Sequence, residues 1–151
     1  LIAIHITNRQ KRLSVDRVRM RRAIRAILHD AGMVNAEISV AIVDDPAIAL
    51  LHGQFLNDPD PTDVLSFVLE TSPGGLEGEV VASADTAAAS APNFGCTPED
   101  ELLTYVIHGV LHLVGYDDVT PKLRKQMGAK EQEYLALANS PARSPKKKRG
   151  C

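Results

Sequence analysis

The chain has histidines at positions 5, 29, 52, 108 and 112, and only His108 and His112 stand at a spacing that lets two rings share a ligand. Residues four apart on an α-helix lie one above the other, so both imidazoles point to the same side. An ion about 2.1 Å from each ring nitrogen can then be gripped by one helical face. Gly115 follows three residues after His112. Glycine accepts the left-handed backbone of a helix C-cap, so the helix is expected to stop there and the chain to turn back. Tyr116, Asp117 and Asp118 come next. His108, His112 and Asp118 thus form a candidate three-residue ligand set. Three protein ligands leave one coordination position open for a water, as a catalytic zinc requires. One zinc ion per chain is the expected cofactor.

The pattern HxxxHxxGxxD resembles the spacing of metzincin zinc sites, whose last position is usually His; Asp is a chemically acceptable ligand there. Metalloproteases of the HExxH type place a glutamate general base directly after the first histidine. Here that position is Gly109, which excludes a peptidase mechanism with a base at that point. The base must come from elsewhere, or the substrate must need less help. RNA meets the second condition, because its 2′-hydroxyl is a built-in nucleophile and a metal can stabilise charge on the phosphate. Gly109 is also expected to leave room for a bulky substrate.

The elements that position these residues follow from periodicity. Residues 1–6 read as a strand, and Ser14 as the cap of a helix reaching about Ala31, with Met20, Ala23, Ile24, Ile27, Leu28 and Ala31 on its buried face. Residues 37–43 are a second strand. Asp44 or Asp45 caps a second helix, which ends near Leu56. Residues 57–61 are a turn-rich loop, 62–68 a third strand and 78–84 a fourth, separated by the turn Ser72–Gly75. An Ala-rich helix over 85–91 follows, with Asp85 as its cap. Thr97-Pro98 opens the helix that bears the histidines. A last helix follows Thr120-Pro121, with Leu123, Met127, Tyr134, Leu135 and Leu137 as core contacts. This order predicts an α+β domain over residues 1–138, a mixed sheet of about four strands covered by helices. Residues 139–151 read as a basic, disordered tail.

With 151 residues, 44% hydrophobic and 24% charged, the composition is that of an ordinary globular domain. No apolar run approaches the ~20 residues that cross a bilayer, and the first residues are not expected to be a secretory signal. Two cysteines, Cys96 and Cys151, form no disulfide framework and suit a reducing, cytoplasmic setting. The net charge of −2 hides an asymmetry. Residues 9–25 carry eight basic side chains against Asp16 alone, a net of +7, and the tail 141–151 carries +5, which leaves −14 for the rest. Such segregation suggests a polyanionic partner. Arg17, Arg21 and Arg25, four apart, line up as one stripe and with Arg22 are the candidate RNA-binding residues. The alternative for this arm is a solvated helix face.

HGVLHLVGYDD at 108–118 closely resembles HGxLHLxGYDH, the signature of the YbeY family of endoribonucleases. Residues 61–67, PTDVLSF, are similar to that family's second signature, and residues 78–83, GEVVAS, to the strand that follows it. The resemblance spans roughly residues 1–137. It implies a zincin-like fold, one zinc and single-strand-specific cleavage of RNA. It further implies ribosomal RNA maturation, notably at the 3′ end of small-subunit RNA, and ribosome quality control. The implied partners are ribosomal RNA and the small subunit or its proteins, with no membrane. His108 and His112 match two of the family's zinc ligands, and Asp118 stands where relatives usually carry His. A carboxylate there lowers the site's charge by one unit, weakens the Lewis acid and favours harder ions such as manganese. Many relatives carry an Arg-Gly pair thought to serve catalysis where this chain has Leu56 and Asn57. The task of that arginine then falls to another residue, such as an arginine of the first helix, or is missing.

The catalytic base is left open. Thr62 and Asp63 begin the third strand and border the cleft or serve a turn; Asp117 orients a ligand histidine or serves the turn after Gly115. Two other activities compete with RNA cleavage: an RNA- or ribosome-binding assembly factor with a mainly structural metal site, and, least favoured, a metallopeptidase.

Overall fold

The computed structural model describes residues 1–56 and 63–140. Thr62, the loop 57–61 and residues 141–151 of the expected tail lie outside them; Asn139, expected to begin that tail, is instead the last residue of a helix. Four strands, β1 (Ile2–Asn8), β2 (Asn35–Val43), β3 (Val64–Ser72) and β4 (Gly75–Ser83), form one sheet in the order β1-β2-β4-β3. β1, β2 and β4 run parallel, and β3 pairs antiparallel with β4, which makes β3 an edge. The helices are α1 (Arg17–Asp30), α2 (Asp45–Leu56), α3 (Ala84–Ser90), α4 (Pro98–Leu113) and α5 (Pro121–Asn139), with a 3₁₀ turn at Ala91–Phe94. This is the mixed α+β architecture expected from the order of elements. Among the described residues no helix is long and apolar enough to cross a membrane.

α4 is the centre of the molecule. Leu102, Leu103, Val106, Ile107, Val110 and Leu111 are all buried, packed between the sheet, α1 and α5. Thr97 caps it by accepting from the Asp100 N–H at 3.1 Å, with Pro98 in its first turn. Two glycines let helix and sheet approach closely. A Cβ on Gly109 would lie 2.7 Å from Val80 Cγ1 and 3.0 Å from Ser66 Oγ, and one on Gly78 would lie 3.0 Å from the Leu113 methyls. The Ser66 hydroxyl donates to the Gly109 carbonyl at 3.0 Å, which fixes β3 to the turn bearing His108.

Several expectations are corrected in detail. α1 is capped by Asp16, which accepts from the Arg19 N–H, rather than by Ser14. β3 and β4 reach further toward their shared turn than 68 and 78, since both strands continue pairing up to Ser72 and Gly75. α3 is capped by Ser83; the Asp85 carboxylate instead accepts from the Asp45 N–H at 2.9 Å and closes the start of α2. Leu137 is exposed, and Ala138 takes its place against the core.

Candidate metal centre

His108 and His112 sit on the last two turns of α4, and Gly115, with φ of +109°, ends the helix as expected and reverses the chain. Asp118 is returned toward the two rings. His108 Nε2 lies 3.1 Å from His112 Nε2. Asp118 Oδ2 lies 3.5 Å from His108 Nε2, and Oδ1 lies 3.6 Å from His112 Nε2. Bonds of about 2.0–2.1 Å at tetrahedral angles set ligand atoms about 3.4 Å apart. The ring nitrogens are 3.1 Å apart and each has one Asp118 oxygen, a different one, at 3.5 or 3.6 Å, so these contacts are of the order that ligands sharing one ion require. Of the described residues, these three form the one His/Cys/Asp/Glu group with ligand atoms close enough to share an ion. The donor set of two imidazoles and a carboxylate suits zinc and related divalent ions.

The residue that orients this site comes from α5. Glu131 Oε2 accepts from His108 Nδ1 at 2.5 Å. A ring that gives its Nδ1 proton to a carboxylate keeps a lone pair on Nε2, which is the tautomer a metal needs. Burial disfavours the charged ring of His108. The hydrogen bond and charge of Glu131 outweigh that burial, with Asp118 and Asp63 adding, and the pKa stands above its ordinary value. Asp117 has a different role: its carboxylate accepts from the Asp118 N–H at 2.7 Å and shapes the turn. Sequence did hold a signal for Glu131. It lies between Met127 and Leu135 at four-residue spacing, an acid in the middle of the apolar stripe of α5.

Two clefts meet at His108. One, of about 430 Å³, lies between the end of the 3₁₀ turn, α4 and α5, and is lined by Asp118, Glu131, Arg124 and Phe94 among others. The other, of about 400 Å³, runs along the edge strand β3 past Ser66 and His112. Asp63 lines both and is the carboxylate at their junction. Gly109 is buried against Val80 and Ser66, so the space beside it belongs to helix–sheet packing and leaves none for substrate. Tyr105 lines the first cleft; burial holds its hydroxyl well above the usual range, and the charge of Glu101 adds to this.

The basic arm is divided. Arg17 and Arg25 are exposed and Arg21 is half-buried. Arg22 is drawn off to the end of α5, donating to the Ala138 carbonyl at 2.9 Å and the Ser140 carbonyl at 3.3 Å. Arg19 is also committed. It donates to Asp100 at 2.7 Å in a largely buried pair, and to the Asn139 side chain. No residue of α1 lines either cleft at His108.

The family model described as "Endoribonuclease YbeY" matches residues 5–139. A relative named Endoribonuclease YbeY from Syntrophotalea carbinolica is 38% identical over 140 residues, covering 88% of this chain and 93% of that protein. One of the same name from Thermobifida fusca is 37% identical over 146 residues, covering 89% and 93%. The solution structure of TM1509 from Thermotoga maritima aligns with a TM-score of 0.64 at 29% identity, covering 89% of this chain and 88% of that one.

Proposed function

The chain belongs to the YbeY family, and from that premise we propose that it is a metal-dependent endoribonuclease acting on single-stranded RNA in ribosomal RNA maturation. Its substrate is the 3′ end of small-subunit RNA, and it serves ribosome quality control in the cytoplasm. The observation that supports this most is the convergence of His108, His112 and Asp118, with the His108 ring held by Glu131. These three residues would hold one zinc ion. When bound, such an ion supplies Lewis-acid stabilisation of charge on a phosphate and lowers the pKa of a water.

The chain's own residues do the rest. Glu131 keeps His108 in the ligand tautomer. Asp63, where the two clefts meet, is a carboxylate outside the ligand set that accepts a proton at the reacting centre. Thr62 lies outside the described residues and is kept as a neighbour of that acid in sequence only. Arg17, Arg21 and Arg25 hold the RNA backbone away from the reacting centre, so binding falls steeply with salt.

Single-turnover cleavage of a single-stranded RNA carrying the small-subunit 3′ sequence, with and without a chelator, tests the reading. Cleavage that stops on chelation and returns with zinc is the expected result. Binding without any metal-dependent cleavage would instead make the protein an assembly factor whose ion is structural.

A further inference from the structure

Two residues on the wall of the larger cleft play no part in holding an ion. Arg124 lies in the first turn of α5, and its Nη1 donates to the Asp118 carbonyl at 3.4 Å. The guanidinium therefore rests against the turn that carries the third ligand. Among the described residues, four carboxylates line the same cleft, those of Asp63, Glu101, Asp118 and Glu131, and Arg124 is the one Lys or Arg lining it. A polyanion entering so acidic a cleft needs a cation besides the ion. Arg124 is exposed, and its single long bond leaves most of its planar fork of donors to a phosphate.

Phe94 lines the same cleft and is 55% exposed. Single apolar side chains on a surface are ordinary, but this one is held firmly. It ends a 3₁₀ turn that begins Ala91-Pro92, and Gly95 then closes the turn in the left-handed conformation, donating its N–H back to Ala91 and Pro92. The ring is thus presented at the cleft that opens onto His108.

We infer that this cleft is a nucleotide subsite, with Arg124 taking a phosphate beside the scissile bond and Phe94 stacking the neighbouring base. The inference rests on the ribonuclease reading for its ligand. Aromatic stacking and a guanidinium on the backbone are how single strands are held with little sequence preference.

The test uses the zinc-loaded full chain and a single-stranded 2′-O-methyl oligonucleotide, confirmed intact on a gel, titrated across a salt series by fluorescence anisotropy. Arg124→Gln is expected to flatten the slope of log Kd against log salt by about 0.7, the share of one phosphate contact on a single strand. Arg124→Lys is expected to keep the slope. Phe94→Ala is expected to weaken binding about tenfold with the slope unchanged, and Phe94→Tyr to restore it. An unchanged slope in Arg124→Gln, or unchanged affinity in Phe94→Ala, would overturn the subsite. So would loss of zinc from Arg124→Gln, which would make the arginine a brace for the Asp118 turn. A wild-type chain that shows these binding responses yet never cleaves RNA would sink the nuclease reading and leave the subsite standing.

Discussion

Glu131 of α5 and His108 of α4 are joined by a 2.5 Å hydrogen bond across 23 residues of sequence. Removing the acceptor frees the ring to rotate and to place its proton on either nitrogen. Glu131→Ala is therefore expected to weaken zinc binding by about 10- to 100-fold, and Glu131→Gln, which keeps an acceptor without the charge, by less. Competition against a chromophoric chelator measures both. Wild-type affinity in Glu131→Ala would mean that the ring needs no such partner.

Asp118 is the one carboxylate of the candidate ligand set. Asp118→Ala is expected to lower zinc content well below one ion per chain, because two nitrogens on one helix complete only half a tetrahedron. Asp118→His is expected to retain the ion and to shift preference from manganese toward zinc. Elemental analysis after dialysis against both metals reads the two outcomes. Full occupancy in Asp118→Ala would remove Asp118 from the ligand set.

Gly109 is enclosed by Val80, Ser66 and Val64. Gly109→Ala forces a methyl to within 2.7 Å of Val80 Cγ1, so α4 must lift from the sheet. An overpacked site of this kind costs about 1–3 kcal/mol, and thermal unfolding should occur several degrees lower. Because His108 is the preceding residue, zinc affinity should fall with it. An unchanged melting temperature would show that the helix has slack at this point.

Tyr134 donates its hydroxyl to Asp30 Oδ2 at 2.6 Å, tying α5 to the end of α1. That bond is the main cause holding the Asp30 carboxyl below its usual pKa; burial opposes it, and His29 and Lys130 add to it. A depressed carboxylate contributes stability that is present above its unfolded pKa and lost as pH falls through the folded one. Tyr134→Phe is expected to cost about 1 kcal/mol at neutral pH, and denaturant melts of the two proteins should converge below about pH 4. A gap that persists in strong acid would assign the loss to packing.

How far the sequence reaches is clear from particular residues. The pairing of His108 and His112 on one helical face, the stop at Gly115 and the caps Thr97 and Thr120 all depend on neighbours within a few positions, and local rules suffice for them. The strand order was out of reach, since nothing local says that β4 inserts between β2 and β3. The partners of two arginines of the basic arm were out of reach for a related reason. Arg19 and Arg22 bond to groups more than 80 residues away, on α4 and at the end of α5, while Arg22 stays exposed. Gly109 did mislead: an absent side chain suggests open space, whereas the sheet has already filled it. Asp85 closes α2 from another element, so helix-start rules applied to its own helix could not find that role.

α5 is tied to the rest of the protein by polar contacts along its length, among them Glu131 on His108, Tyr134 on Asp30, the Ala138 carbonyl on Arg22 and Asn139 on Arg19. Detaching this helix takes the second carboxylate away from the ligand ring, so ion occupancy and fraying of the C-terminal helix form one linked equilibrium. An ion that binds only the closed form at a hundredfold excess over its Kd adds about 2.7 kcal/mol against opening. Amide exchange should then slow along all of α5, even at Asn139, far from any ligand. If the proposed ion is bound, the same linkage would make metal supply a determinant of how long the protein escapes proteolysis.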